Sequence, residues 1–405
     1  LSVLDALERA LEEIRAALDD PGFQEGVRRA SRSAEEKVAR ILAENPHLRR
    51  MAAEVRRAKE EALSRLDYYV EQAMRSLERA GGRAYLASTA EEAREIVGRI
   101  VGGGGVVVLS KSMVAEELGL REYLEGLGNE VWETDLGQLL IQLEGGKPMH
   151  SVAPAIHLTR ERVARLLRER LGADIPADAR PEDMVRWVRG FLRSKFQAAT
   201  AGVSGANAVA ADTGSIVLVE NEGNIRLVTG LPPVHVAVAG VEKVVPTLAD
   251  ALKTAIVQAA YDGLYPPTYI NVITGPSSTA DIEHTRVRGA HGPLEVHLVL
   301  VDNGRREALR TALRDQLRCI RCGRCQWECP VWQHTANKWG GPTYGGPMGV
   351  VWTAITRGVE EAAGLALLCL GCARCDVVCP VEIPISRLLH TLKREFHRAT
   401  AARGQ

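Results

Sequence analysis

Cys319-Ile-Arg-Cys322-Gly-Arg-Cys325-Gln-Trp-Glu-Cys329-Pro330 and Cys369-Leu-Gly-Cys372-Ala-Arg-Cys375-Asp-Val-Val-Cys379-Pro380 repeat one spacing, C-x2-C-x2-C-x3-C-P. This is the spacing of bacterial 4Fe-4S ligation. All 8 cysteines of the 405-residue chain fall in these two runs. Two-residue gaps let a short loop fold back so that three sulfurs face one cluster. The proline after the fourth cysteine turns the chain away, because it fixes φ and offers no N–H. In two-cluster proteins the fourth cysteine of each run ligates the other cluster. The expected ligand sets are therefore Cys319, Cys322, Cys325 and Cys379 for one cluster, and Cys369, Cys372, Cys375 and Cys329 for the second. Zinc normally takes two C-x2-4-C pairs, and disulfides suit small secreted chains. Both fit this pattern less well.

Working outward, the linker between the runs contains Trp339-Gly-Gly-Pro-Thr-Tyr-Gly-Gly-Pro-Met-Gly349 and then a helical stretch. It is too long for a compact β-type ferredoxin and points to an all-α ferredoxin domain over 303–405. Residues 303 to 318 read as one Arg-rich helix feeding the first run, with Asp302-Asn303-Gly304-Arg305 as the domain junction. Past Pro380 a last amphipathic helix carries Leu388, Leu389 and Leu392.

Residues 83–302 read as α/β. Val106-Val-Val-Leu109, Glu130–Thr134, Val234–Val238, Tyr269–Ile273 and Leu294–Val301 are strands. Helix starts lie at Ser88-Thr-Ala-Glu-Glu92, Thr159-Arg-Glu-Arg162 and Pro181-Glu-Asp183. Glu220-Asn-Glu-Gly-Asn224 reads as the turn of a hairpin whose second strand is Ile225–Thr229. The alternation predicts one mixed or parallel sheet covered on both faces. The Gly102–Gly105 run precedes a strand, whereas a dinucleotide fingerprint follows one, so it carries little functional weight. No flavin fingerprint is evident.

Residues 1–82 form an N-terminal helical region. Leu4, Leu7, Leu11, Ile14 and Leu18 mark one stripe, broken at Asp19-Asp-Pro-Gly22. A second helix over 23–44 ends at Asn45-Pro46, and a third over 48–80 ends at Gly81-Gly82. Packing against the rest of the chain is the simple reading, and a partner-binding coiled coil the other.

Composition excludes several functions. Lys plus Arg and Asp plus Glu number 51 each, so the chain is neutral, which points away from nucleic acid and anionic membranes. Aromatic residues at 4% argue against a base-stacking platform. No apolar run approaches the roughly 20 residues that span a bilayer, and Leu1-Ser-Val-Leu-Asp-Ala-Leu-Glu-Arg is unlike a secretory signal. Thiolates suit a reducing compartment, so a cytoplasmic location is expected, with membrane contact only through a partner.

Several stretches together resemble one family: Ser110-Lys-Ser-Met113, Glu133-Thr-Asp-Leu-Gly137, Val152-Ala-Pro-Ala-Ile-His157 and Ala211-Asp-Thr-Gly-Ser215. Glu220-Asn-Glu-Gly-Asn224, Gly275-Pro-Ser-Ser-Thr-Ala-Asp-Ile-Glu283, Gly289-Ala-His-Gly-Pro293, Cys319-Ile-Arg-Cys322-Gly and Tyr344-Gly-Gly-Pro-Met-Gly349 complete the set. The chain resembles lactate-utilisation protein B over about residues 50–390. The resemblance implies an α/β domain like CoA transferases and sugar-phosphate isomerases, and two 4Fe-4S clusters. It also implies an electron-transfer role in a cytoplasmic complex oxidising L-lactate to pyruvate without NAD. Two partners follow from it: a cysteine-rich subunit like that of heterodisulfide reductases, and a small protein repeating the lactate-utilisation domain. The chain ends soon after the second run, where relatives carry a further tail, a departure expected to alter docking.

Within the α/β domain, Glu220 resembles the nucleophilic carboxylate of CoA transferases. It would make the chain an enzyme acting on a CoA ester or small carboxylate; the bland reading is a turn residue. His157, His284 and His291 are candidate bases. His284 and His291 flank Arg286 and Arg288 after Asp281 and Glu283, a set able to clamp a carboxylate or to form an interface salt-bridge network. A cluster-bearing sensor or scaffold is the third function considered.

Overall fold

The computed structural model describes residues 3–403, so Leu1 and Ser2 of the first helical stretch lie outside the described residues. Among the described residues twelve strands form. They are β1 (Arg83–Ala87), β2 (Val106–Leu109), β3 (Glu130–Glu133), β4 (Ala199–Ser204), β5 (Ala208–Ala210) and β6 (Ile216–Glu220). The others are β7 (Val234–Gly240), β8 (Val244–Val245), β9 (Tyr269–Ile273), β10 (Ser278–Thr279), β11 (Val287–Arg288) and β12 (Glu295–Val301).

Six strands make a parallel sheet in the order β1-β12-β7-β4-β2-β3. Because both faces are buried, its inner strands are mostly apolar, with His235 of β7 and His297 of β12 as buried exceptions. Period-two alternation sorts their side chains. Ala237, Ala239, Leu298 and Leu300 face one core, while Val236, Val238, Val299 and Val301 face another. The first face is covered by a helix over Leu66–Arg79, the second by helices over Ala90–Val101 and Met113–Leu118.

The single sheet read from the sequence is in fact three. Strands β8-β5-β6-β9 form a separate mixed sheet, and β10-β11 a small antiparallel ribbon. The small residues of 208–218 explain the split. Val209, Ile216 and Leu218 pack under the Leu66–Arg79 helix, and Ala208, Ala210 and Val217 pack under the Leu248–Asp262 helix. A strand pair with two apolar faces needs its own two covering layers, so it cannot extend the parallel sheet.

Two further expectations are corrected. Ile225–Thr229 is no strand: Asn224–Gly230 is helical, because the Glu220 carboxylate accepts the free N–H groups of Ile225 and Arg226 at the helix start. The hairpin partner of β6 is instead β5. Residues 303–318 do not form one helix either, but a turn of helix at Arg305–Ala308 and a 3-10 turn at Arg314–Arg318. The Thr311 hydroxyl donates to the Ala308 carbonyl and accepts from the Leu313 N–H, offering the backbone an alternative to helix.

The N-terminal helices are α1 (Val3–Leu18), α2 (Pro21–Glu44), α3 (His47–Ser64) and α4 (Leu66–Arg79). Asp20 caps α2 and Asn45 closes it. The third predicted helix breaks at Arg65, since α3 and α4 face different bodies. Leu48, Val55 and Leu63 of α3 share a core with the cysteine-rich region, whereas Leu66, Val70 and Leu77 of α4 join the sheet core. In α1 the buried stripe is Ala6, Ala10, Ile14 and Ala17, while Leu4 and Leu18 are exposed. Small residues let α1 lie close on the helix Val359–Ala366. These helices therefore pack on their own chain.

Helices Gly346–Arg357, Val359–Ala366 and Ile385–Arg403 frame the cysteine-rich region. The architecture is mixed α/β with a parallel six-stranded sheet, N-terminal helices and a helical cysteine-rich C-terminal region. Among the described residues no helix is long and apolar enough to cross a membrane.

Candidate metal centres and the cavity beside them

The two cysteine runs fold alike. Arg321 and Gly371 occupy equivalent positions at φ 61° and 72°, and Gly323 and Ala373 do so at 74° and 57°. This left-handed turn lets the first sulfur of each run accept a backbone N–H two residues on, Arg321 to Cys319 and Gly371 to Cys369, both at 3.4 Å. One helical turn follows in each, Arg324–Trp327 and Arg374–Val377.

Two small cavities lie among these loops. One is lined by Cys319, Cys322, Cys325 and Cys379, the other by Cys329, Cys369, Cys372 and Cys375. Each takes three sulfurs from one run and the fourth from the other. Around one zinc ion, sulfurs about 2.3 Å from the metal would lie roughly 3.8 Å apart. Among the described residues no three His, Cys, Asp or Glu side chains converge so closely on a single ion, whereas a four-iron cube holds its thiolates further apart. Burial pushes the Cys322, Cys325 and Cys375 thiols up, and raises Cys329 and Cys379 to about 11. Such thiols ionise readily only against a metal, which deprotonates them outright. Donor number, sulfur chemistry and spacing thus fit two clusters.

The first loop is walled in. Trp332, Trp339 and Trp352 are fully buried, and His150 stacks on Trp327 with ring centroids 3.7 Å apart. Asn337 anchors the glycine–proline linker: its carbonyl accepts from Gln326 and the Trp332 indole, and its amide donates to the Pro148 carbonyl. A Cβ at Gly345 would lie 1.7 Å from that Asn337 oxygen, so only glycine fits there.

A buried ion network joins this loop to the sheet. Arg305 donates to Glu117 at 2.7 Å and to Glu242 at 2.6 Å, Arg321 donates to Glu242 at 2.9 Å, and Tyr344 donates to Glu117 at 2.6 Å. Lys59 of α3 donates to the Glu242 carbonyl. Burial alone would raise Glu242, but Arg305 and Arg321 outweigh it and hold the carboxyl at about 2. Arg321 keeps its left-handed backbone while its guanidinium lies over Trp352 and Tyr344, at 4.0 and 4.7 Å from the ring centroids.

Beside the same loop opens a cavity of about 520 Å³, within the size range of ligand sites. Its floor is the carboxyl ends of β2, β3, β4 and β6, where open α/β sheets place ligands. Its walls are α2, the Leu248–Asp262 helix, and Arg321 and Trp327 of the first cysteine run.

Glu220 lies in this wall, but its carboxylate is fully engaged. One oxygen accepts the Ile225 and Arg226 N–H groups, the other the Arg226 guanidinium and the Asn271 amide, both at 2.9 Å. Four donors make a carboxylate a poor nucleophile. His284 and His291 are exposed with Arg286 and Arg288 around the β10–β11 ribbon, away from the cavity lining. His157 is pinned to Glu144 at 2.9 Å and packs on Phe23. The cavity instead collects Lys111, Lys243 and Asp262, which spacing did not single out. Val241-Glu-Lys-Val-Val245, a charged pair inside an apolar run, was the available signal.

A LUD domain family matches residues 70–301, and a 4Fe-4S dicluster domain family matches residues 315–383. "Uncharacterized electron transport protein YkgF" of Escherichia coli is 38% identical over 93% of this chain and 78% of its own length. "Lactate utilization protein B" of Shouchella clausii is 38% identical over 91% of this chain and 78% of its own, and that of Bacillus subtilis 37% over 91% and 75%. A DUF162 family crystal structure from Deinococcus radiodurans aligns over 59% of this chain and 98% of its own, at TM-score 0.32 and 14% identity. With a LUD domain preceding a 4Fe-4S dicluster region of eight cysteines, and relatives of that name aligned over nine-tenths of its length, the chain belongs to the lactate utilization protein B family.

Proposed function

We propose that this chain is the iron–sulfur electron-transfer subunit of a cytoplasmic, multi-subunit complex that oxidises L-lactate to pyruvate. The observation that carries the reading is the sorting of eight cysteines into two quartets, one beside the large cavity and one at the surface. Cys319, Cys322, Cys325 and Cys379 would hold one cluster, and Cys329, Cys369, Cys372 and Cys375 the other. Bound there, the clusters supply one-electron chemistry, at potentials tuned by hydrogen bonds and exposure. The protein's own part is to position and insulate. Backbone N–H groups are directed at Cys319, Cys369 and Cys379 sulfurs, and the tryptophan wall excludes water from the first loop.

The sheet domain is read as akin to CoA transferases and sugar-phosphate isomerases, without their carboxylate chemistry, since Glu220 is engaged. The exposed second loop is the face open to partners: a cysteine-rich subunit like that of heterodisulfide reductases and a small LUD-domain protein. Anaerobic capture of the native complex, assayed with L-lactate, D-lactate and other 2-hydroxy acids, tests the reading. Reduction of the clusters by L-lactate in the captured complex is expected; capture of an active complex that ignores every 2-hydroxy acid would refute it.

A further inference from the structure

The large cavity gathers three lysines that make no short ion pair with any described residue. Lys243 is only 5% exposed and lines the cavity. Its amine makes no hydrogen bond or short ion pair with any described residue; burial lowers it to about 7, and Glu242 and Cys319 act on it only at longer range. Lys111, on the same wall, donates to the Val152 carbonyl and makes no short ion pair, Asp262 and Glu222 acting on it only at longer range. Lys37 of α2 overhangs the cavity, also without a short ion pair, Asp262 acting on it at longer range.

The acids of the wall are occupied. Glu220 is held by Arg226 and Asn271, and Asp135 caps the helix Leu136–Glu144 through the Gln138 N–H. Asp262 receives the Trp327 indole N–H at 3.5 Å, and burial raises its carboxyl to about 7, so it carries only part of a charge at neutral pH. Apolar side chains, among them Met113, Ile156 and Trp327, complete the lining. A cavity of this size with a few convergent cations in an apolar wall suits an organic anion.

We propose that the cavity binds a small organic carboxylate, with Lys243 and Lys111 as its anion-holding residues and Lys37 at its mouth, directly against the first cysteine loop. The proposal stands on three lysines without short ion pairs converging on one part-apolar cavity, and needs no assumption about lactate. Each lysine supplies a charge-assisted hydrogen bond, the strong kind, to the carboxylate. Asn207 and Gln258 bond each other at 2.9 Å on the same wall and can meet polar groups on the ligand's body.

The test is calorimetric titration of the anaerobic, cluster-loaded chain with pyruvate, L-lactate, a longer aliphatic carboxylate, the matching neutral amides and inorganic phosphate. The EPR spectrum of the reduced clusters is recorded with and without each probe. Carboxylates should bind and perturb one cluster signal, and their amides should not. Lys243→Met and Lys111→Met should each weaken binding on the order of tenfold or more with iron content unchanged. Lys37→Met, at an exposed position where folding is not at stake, should weaken it less. Absence of carboxylate binding, equal binding of acid and amide, binding unaltered by all three substitutions, or binding of phosphate alone would each overturn the proposal. A complex that oxidises lactate while this chain binds no carboxylate would leave the electron-transfer reading intact and place the substrate on a partner.

Discussion

The two cysteine loops share a backbone and differ in almost everything around it. Every residue from Cys319 to Trp327 is buried, whereas Leu370, Gly371, Cys372, Arg374 and Val377 are exposed, Leu370 at 71% and Val377 at 85%. The same left-handed position holds Arg321 in one loop and Gly371 in the other. A residue with a Cβ at positive φ costs about 1–2 kcal/mol. The first loop bears that strain because its guanidinium joins the Glu242 network and covers Trp352; the second has no such bond to make and uses glycine. Ligand spacing sets what a loop can hold, and the surroundings set what reaches it. One loop faces a cavity, the other faces solvent.

The largest test of this contrast removes ligands one at a time. If the sets cross, Cys379→Ser should abolish the same cluster signal as Cys319→Ser, and Cys329→Ser the same as Cys372→Ser, each removing about four of about eight irons. Pairing of the losses by run instead of by cavity would break the assignment. Air is the next probe. The exposed quartet should lose its iron several-fold faster than the walled one, read as sequential loss of two EPR signals; simultaneous loss would mean that the tryptophan wall does not insulate.

Substitution then separates the two environments by stability. Arg305→Met leaves Glu117 and Glu242 short of a counter-ion and should destabilise the fold by about 3–5 kcal/mol in chemical denaturation. Arg387→Ala, which loses only the solvent-facing pair with Asp315, should change it by about 1 kcal/mol or less. Acid gives a further comparison. Burial holds His150 and His235 down at about 3, against about 6.5 in the unfolded chain. As pH falls below about 6.5 the unfolded chain takes up protons that the native rings refuse, so stability declines. The loss is on the order of 2 kcal/mol per ring by pH 5. His150 packs on the first loop and has no buried counterpart among the described residues of the second, so His150→Gln should flatten the Tm–pH slope by about half.

The cysteine spacing was legible because cluster ligation is local. So were several strands and the helix starts at Thr89, Thr159 and Pro181, which depend on nearest neighbours in the chain. What escaped depends on distant groups. Ile225–Thr229 has strand-like composition, but the Glu220 side chain supplies what a helix start needs. The stretch 208–218 reads like any sheet segment until its two covering helices, 66–79 and 248–262, are known. The cavity was hidden for the same reason: Lys37, Lys111, Lys243 and Arg321 come from four separate segments, and only the fold brings them to one wall. His284 and His291, neighbours in sequence with arginines between them, stand on an exposed ribbon.

The N-terminal helices have one more consequence, for the order in which the protein is made. Helix α1 lies on residues 359–366, and the Gln24 side chain of α2 donates to the His334 carbonyl, 310 positions away. These helices must wait for a segment made some 310 residues later, so their closure belongs to the slow, high-contact-order end of folding. Until then the first cysteine loop and the adjoining cavity stand open. Iron delivery has a natural window there, after the cysteines emerge and before α1 and α2 shut over them.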